Sequence, residues 1–201
     1  MDLYAWLGVV AGLVGLLAFG PYIMATLLGV TRPNRATWAI WSLVGVMLAT
    51  SYFSASGERV TIWVPISYVI GPIVTALLSI WYGVGGWTRL DRLCLIIAAI
   101  SAVMWWLTGQ PVLALLLNLL VDLVGVIPTL RKAYNEPESE DRLAWTMSCL
   151  ANGLNVLALN PFRIAEWTFA ESVYPLYMFV AVGLVTSFIY VRGYQLRPPA
   201  V

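Results

Sequence analysis

Residues 20–38 read GPYIMATLLGVTRPNRATW, and residues 127–145, 107 positions on, read IPTLRKAYNEPESEDRLAW. Pro21 falls on Pro128 and Trp38 on Trp145, with a basic or proline-bearing connection between each pair. Outward from these stretches the correspondence continues at a slightly larger offset. "WVPISY" matches "VYPLYM", so Pro65 falls on Pro175, and "IVTALL" then matches "LVTSFI", so Thr75 falls on Thr186. The matched segments describe three helices repeated once, with a proline late in the first helix of each set and another early in the third.

Apolar runs able to cross roughly 30 Å of hydrocarbon as helices are expected at 3–29, 36–54, 60–82, 90–107, 111–131, 143–159 and 172–191. The chain of 201 residues is 61% hydrophobic and 10% charged, against about a quarter charged in soluble domains. An all-α integral membrane protein of seven transmembrane helices follows. The run 90–107, "LDRLCLIIAAISAVMWWLTG" with its flanks, has no repeat partner. Parity explains it: three helices leave the chain on the wrong side, so one more must cross back before a second, parallel set begins. The expected organisation is two parallel three-helix bundles joined by an inverter helix: 1–83, 84–108 and 109–192, followed by a cytoplasmic tail, 193–201.

Parallel repeats about an axis along the membrane normal are a transporter architecture. Three helices, an inverter and three more, N-terminus outside, with proline in helices one and five, resembles the SWEET and PQ-loop transporters over essentially the whole chain. That resemblance implies transport by alternating access. The Pro-Gln dipeptide of the family is Pro21-Tyr22 and Pro128-Thr129 here. Sugar-carrying members place asparagines in the third helix of each set. None occurs in 60–82 or 172–191, which points away from a sugar.

Basic residues set the orientation. Arg32, Arg35, Arg89, Arg92, Arg131, Lys132, Arg142, Arg192 and Arg197 fall on one side, and Arg59 and Arg163 on the other. The first side is therefore cytoplasmic, and a cell (inner or plasma) membrane is the expected location. The start "MDLYAWLGVV" lacks the basic region of a cleavable leader. Near-neutral charge gives no footprint for nucleic acid. With no histidine, and with Cys94 and Cys149 apart inside apolar runs, no metal or cofactor site is expected. The single lysine, Lys132, ends the fifth helix, which excludes a retinal Schiff base in the last.

The chemistry concentrates in "NLLVDLVGVIP", residues 118–128. A carboxylate at the bilayer centre costs about 2.5–3.5 kcal/mol even on lenient scales, and such groups mark substrate or proton pathways. Asn118 and Asp122 share a helix face, which Ala114, Gly125 and Thr129 continue. Helix six adds Asn152 and Asn155. The corresponding first-repeat positions are Ala11, Gly15, Gly45 and Leu48, small or apolar. Asp122, Asn118, Asn152 and Asn155 are therefore the candidate substrate- or proton-binding residues, packing through interhelical hydrogen bonds being their alternative role. If transport is proton-coupled, Asp122 is the carrier, because no histidine exists. Trp38, Trp41 and Trp145 are candidate pathway aromatics or interface anchors. Pro21 and Pro128 are candidate hinges.

The sequence thus points to a transporter, not an enzyme, for a small polar solute that is neutral or cationic. A membrane-embedded enzyme acting on a lipid or prenyl substrate, and a non-transporting scaffold contacted through "NEPESEDR", are the alternatives. Oligomeric state is open, since one chain holds both repeats.

Overall fold

A computed structural model describes residues 2–33, 35–57, 60–85 and 88–195, with backbone alone for Leu90, Asp91, Cys94, Pro128, Lys132 and Ser139. Arg59, Trp87 and Arg197 lie outside the described residues, as do the Cys94, Lys132 and Pro128 side chains. The described residues form α1 (Leu3–Leu27), α2 (Arg35–Ser56), α3 (Trp63–Tyr82), α4 (Arg89–Thr108), α5 (Pro111–Asn135), α6 (Arg142–Ala158) and α7 (Phe169–Gln195). Short 3-10 turns occupy Val60–Ile62, Pro137–Ser139 and Pro161–Glu166.

Among the described residues, five segments are long and apolar enough to cross a membrane: Leu3–Leu27, Arg35–Ser56, Val60–Tyr82, Pro111–Asn135 and Phe169–Gln195. The chain is an all-α protein of membrane character. Of the other two expected spans, α4 shows the apolar stretch Leu95–Thr108 among residues with described side chains. α6 has 17 residues and carries Asn152 and Asn155.

Local chemistry sets the helix ends. Asp2 accepts from Ala5 N at 2.8 Å and Asp141 from Ala144 N at 2.7 Å, satisfying donors that each helix start leaves free. Beyond α1, Gly29 takes φ 71°, where a side chain would be strained, and Val30 N returns to Ala25 O at 2.9 Å. Beyond α3, Arg35 covers the last carbonyls, its Nε donating to Ser79 O at 3.0 Å and its Nη2 to Ile80 O at 3.4 Å. A cation there also faces the negative end of the α3 dipole.

α3 packs against both α1 and α2, and α7 against both α5 and α6. The remaining large contacts are α1 with α6, α2 with α5, and α4 against α5. Lipid offers apolar side chains no reason to leave it, so close backbone approach through small residues drives such contacts. Gly8, Gly12 and Gly15 line the α1 face that meets the start of α3. A Cβ at Gly8 would lie 1.9 Å from Val60 O, and one at Gly12 would lie 2.5 Å from Trp63 Cβ. α2 meets α3 likewise at Gly45, whose Cβ would lie 2.5 Å from Tyr68 O. The apolar core joins α2, α5 and α7 through Val44, Tyr52, Leu115 and Tyr174.

Candidate functional site

One side chain on α1 and three on α2 and α3 begin the site. Phe19, on the buried side of α1, meets Tyr68 of α3 edge-on at 5.8 Å between centroids and Trp38 of α2 at 6.3 Å. Trp38 then packs edge-to-face on Trp41 at 5.3 Å and 87°. Trp38 and Trp41, three apart on α2, lie on one face of that helix. Trp38 is tied down by its Nε1, which donates to Tyr22 O–H at 3.2 Å.

Facing them is a wall from the second half of the chain: Asp122 and Thr129 of α5, Trp145 and Ser148 of α6, and Tyr174 and Met178 of α7. Together the two walls enclose a cavity of about 430 Å³, within the range that small-molecule sites occupy. Asp122 lies midway along α5. Its Oδ2 accepts from the Tyr177 O–H at 2.8 Å, and among the described residues no cation pairs with it. Trp41 reaches across toward α5, its Nε1 3.2 Å from where a Cβ on Gly125 would sit. A larger residue at position 125 would press against that indole.

The cavity is one-sided. Its lining runs to exposed Arg32, to Thr37 and to Glu140, next to the α1–α2 and α5–α6 connections. Trp145 Nε1 donates to Glu140 Oε2 there at 3.0 Å. In the opposite direction it stops at Leu48 and Tyr174. Beyond them the Tyr52 O–H donates to Glu171 O at 2.9 Å and lies 2.6 Å from Thr61 Oγ1. A phenol has one proton to give, so Thr61 donates in turn. The Tyr52 and Tyr174 rings pack at 5.2 Å across this closure.

Of the residues expected from the sequence, Asp122, Trp38, Trp41 and Trp145 come together in the lining. Asn118, Asn152 and Asn155 are fully buried and lie outside it. Asn152 Nδ2 donates to Tyr68 O–H at 3.0 Å and to Ser148 O at 2.9 Å, which holds Tyr68 in the cavity wall. Neither amide atom of Asn118 or Asn155 has a protein partner among the described residues. Pro21 lies inside α1, one residue before the lining residue Tyr22. α5 runs through position 128, whose ring is outside the described residues.

Phe19, Tyr22, Tyr68 and Tyr177 escaped the sequence reading. Tyr68 and Tyr177 were legible in principle, since each follows a repeat-matched proline, Pro65 or Pro175, within one turn. The only polar groups with shifted titration outside the helices are Arg163 and Glu166 among the described residues. Their mutual hydrogen bond raises the guanidinium and lowers the carboxyl, at full exposure and far from the cavity. Compared with known proteins, the chain matches no family model, no curated protein and no solved structure.

Proposed function

We propose that the chain is a small-solute transporter in which two parallel three-helix bundles, α1–α3 and α5–α7, rock about the cavity, with α4 as the inverter. The observation that carries this reading is the one-sided cavity itself. Both halves of the chain line it, a carboxylate stands midway along one wall, and only the side of the α1–α2 and α5–α6 connections is reached. A cavity between repeats at mid-depth is where alternating access places its solute.

Three further features support it. α3 sits between α1 and α2 as α7 does between α5 and α6, and the halves touch crosswise, α1 with α6 and α2 with α5. A twofold along the membrane normal generates that crosswise pattern. Arg35 at the start of α2 packs on Gly83 after α3, its Cγ 2.9 Å from the position of an added Cβ. Arg142 at the start of α6 packs on Gly193 in α7 in the same way, its Nη2 2.6 Å from the added Cβ. On this reading the N-terminus is outside, the cavity opens to the cytoplasm, and the membrane is the inner or plasma membrane. Asp122 is the solute- or proton-contacting group, and the solute is polar, neutral or cationic.

The test is flux of labelled small solutes into proteoliposomes, for the full chain and for Asp122→Asn. Uptake that saturates, and that falls at least tenfold in the variant, is the expected result. No flux of any solute beyond protein-free liposomes would overturn the proposal and return the chain to an enzyme or a scaffold.

A further inference from the structure

Resting on the transport reading, we infer that the cavity is an aromatic cage for an organic monocation carrying its charge on a quaternary or aromatic nitrogen. The chemistry of the lining supplies the argument. Trp38 and Trp41 stand at 87° to one another, and Phe19 stands at 71° to Trp38. Aromatic planes set close to right angles form a corner rather than a slot. In such a corner the edge of one ring covers part of the other's face. The open face of the edge-on ring and the uncovered part of its neighbour can meet one centre, as aromatic faces do around quaternary ammonium groups.

Charge points the same way. Asp122 is the one carboxyl in the inner part of the lining, while Arg32 and Glu140 lie at the mouth. Asp122 receives a single hydrogen bond, from Tyr177, and has no cationic side chain beside it among the described residues. A carboxylate kept at mid-membrane without a counter-ion is costly, and a solute cation supplies one.

The same features exclude neighbouring classes. A di- or trivalent metal ion is usually held by several carboxylate, imidazole or thiolate ligands at once, and no group of three His, Cys, Asp or Glu side chains comes together among the described residues. A free anion or a zwitterion needs a basic partner for its carboxylate, and among the lining residues only exposed Arg32 at the mouth is basic. A sugar needs a ring of side-chain donors and acceptors. Beside Asp122 the inner wall offers a few hydroxyls and the Trp41 N–H, which finds no protein acceptor among the described residues.

The experiment titrates the purified full chain with choline, N-methylpyridinium, the neutral carbon isostere of choline, and ribose, following tryptophan fluorescence. Wild type is compared with Asp122→Asn, Trp41→Leu and Trp41→Phe. Trp106→Phe, on the exposed face of α4, is the control for signal. At least one cation is expected to bind saturably and at least tenfold more tightly than the neutral isostere. Asp122→Asn should erase that preference. Trp41→Phe should keep more of the affinity than Trp41→Leu, which separates a ring face from mere bulk. Equal binding of cation and isostere, or no saturable binding of either cation, overturns the inference. Flux of the same compounds is measured in parallel. A cation that binds without being carried overturns the transport reading and leaves the cage. A neutral solute carried by a protein that binds no cation does the reverse.

Discussion

α1 and α5 correspond at the 107-residue offset, yet they meet their neighbours by opposite means. α1 presents Gly8, Gly12 and Gly15 where α5 presents Leu115, Leu119 and Asp122. On α1 the backbone itself touches the next helix, Gly15 lying where a Cβ would be 2.7 Å from Ser67 Oγ. On α5 the leucines fill the gap, and Asp122 reaches the Tyr177 O–H. Ser67 and Tyr177 also correspond, at the offset that pairs Pro65 with Pro175. At these corresponding positions one contact is packing and the other is chemistry. On the proposed repeat, one half serves as a frame and the other carries the polar groups.

The comparison breaks most visibly where α5 is made small. Leu115→Ala removes a fully buried side chain and should cost about 2–5 kcal/mol, as cavity-forming changes do. Unfolding of the detergent-solubilised variant in a denaturing detergent series reads this directly, and an unchanged midpoint would mean that α5 is not held off by its leucines. Making α1 large comes next. Gly12→Ala places a methyl against Trp63 and should cost about 1–3 kcal/mol by the same measurement. A neutral result would show that α1 and α3 can separate freely.

A subtler contrast lies at the doubled contact. Tyr177→Phe removes the hydroxyl donor to Asp122 and should cost about 1 kcal/mol, together with a change in solute binding. Ser67→Ala should cost far less, because the Ser67 hydroxyl donates to Val64 O of its own helix at 2.8 Å. Equal effects of the two substitutions on binding would remove the distinction between frame and chemical half. The smallest effect belongs to Arg163 and Glu166. The Glu166 carboxyl is held below its ordinary value of 4.5 by the guanidinium, so its contribution is present above that pH and fades as the pH falls below it. Full exposure and salt screening keep it slight. Wild type and Glu166→Gln should therefore melt alike at neutral pH in high salt, and a clear separation there would give this pair a larger role.

Much of this was legible beforehand because prolines and tryptophans resist random matching. Pro21 with Pro128 and Trp38 with Trp145 pointed to a repeat, and Asp122, which lies in the cavity lining, stood out through its cost in an apolar run. Helical periodicity reports a face but not how far along it a cavity extends. Asn118 shares the face of Asp122, yet the space ends near Leu48 and Tyr174. Asn152 pointed correctly toward the interior, and its use, holding Tyr68, depends on a residue 84 positions away. Contacts at that separation leave no mark on local pattern. α4 (Arg89–Thr108) and α6 (Arg142–Ala158) lie within a residue of the runs expected at 90–107 and 143–159, because charged residues mark where each apolar run begins.

The 3-10 turn after α6 has a consequence for membrane thickness. α6 has 17 residues, which at about 1.5 Å per residue falls short of the roughly 30 Å of a typical hydrocarbon layer. The turn that follows exposes Phe162 at 91% and Ile164 at 64%. Trp167 folds back over the helix end, its Nε1 donating to Leu159 O at 2.6 Å. In the proposed arrangement those apolar side chains continue the depth that the helix lacks, so that hydrophobic mismatch is absorbed by a turn instead of by tilt. On that reading α6 and its turn together match the depth that the long α7 reaches as helix alone.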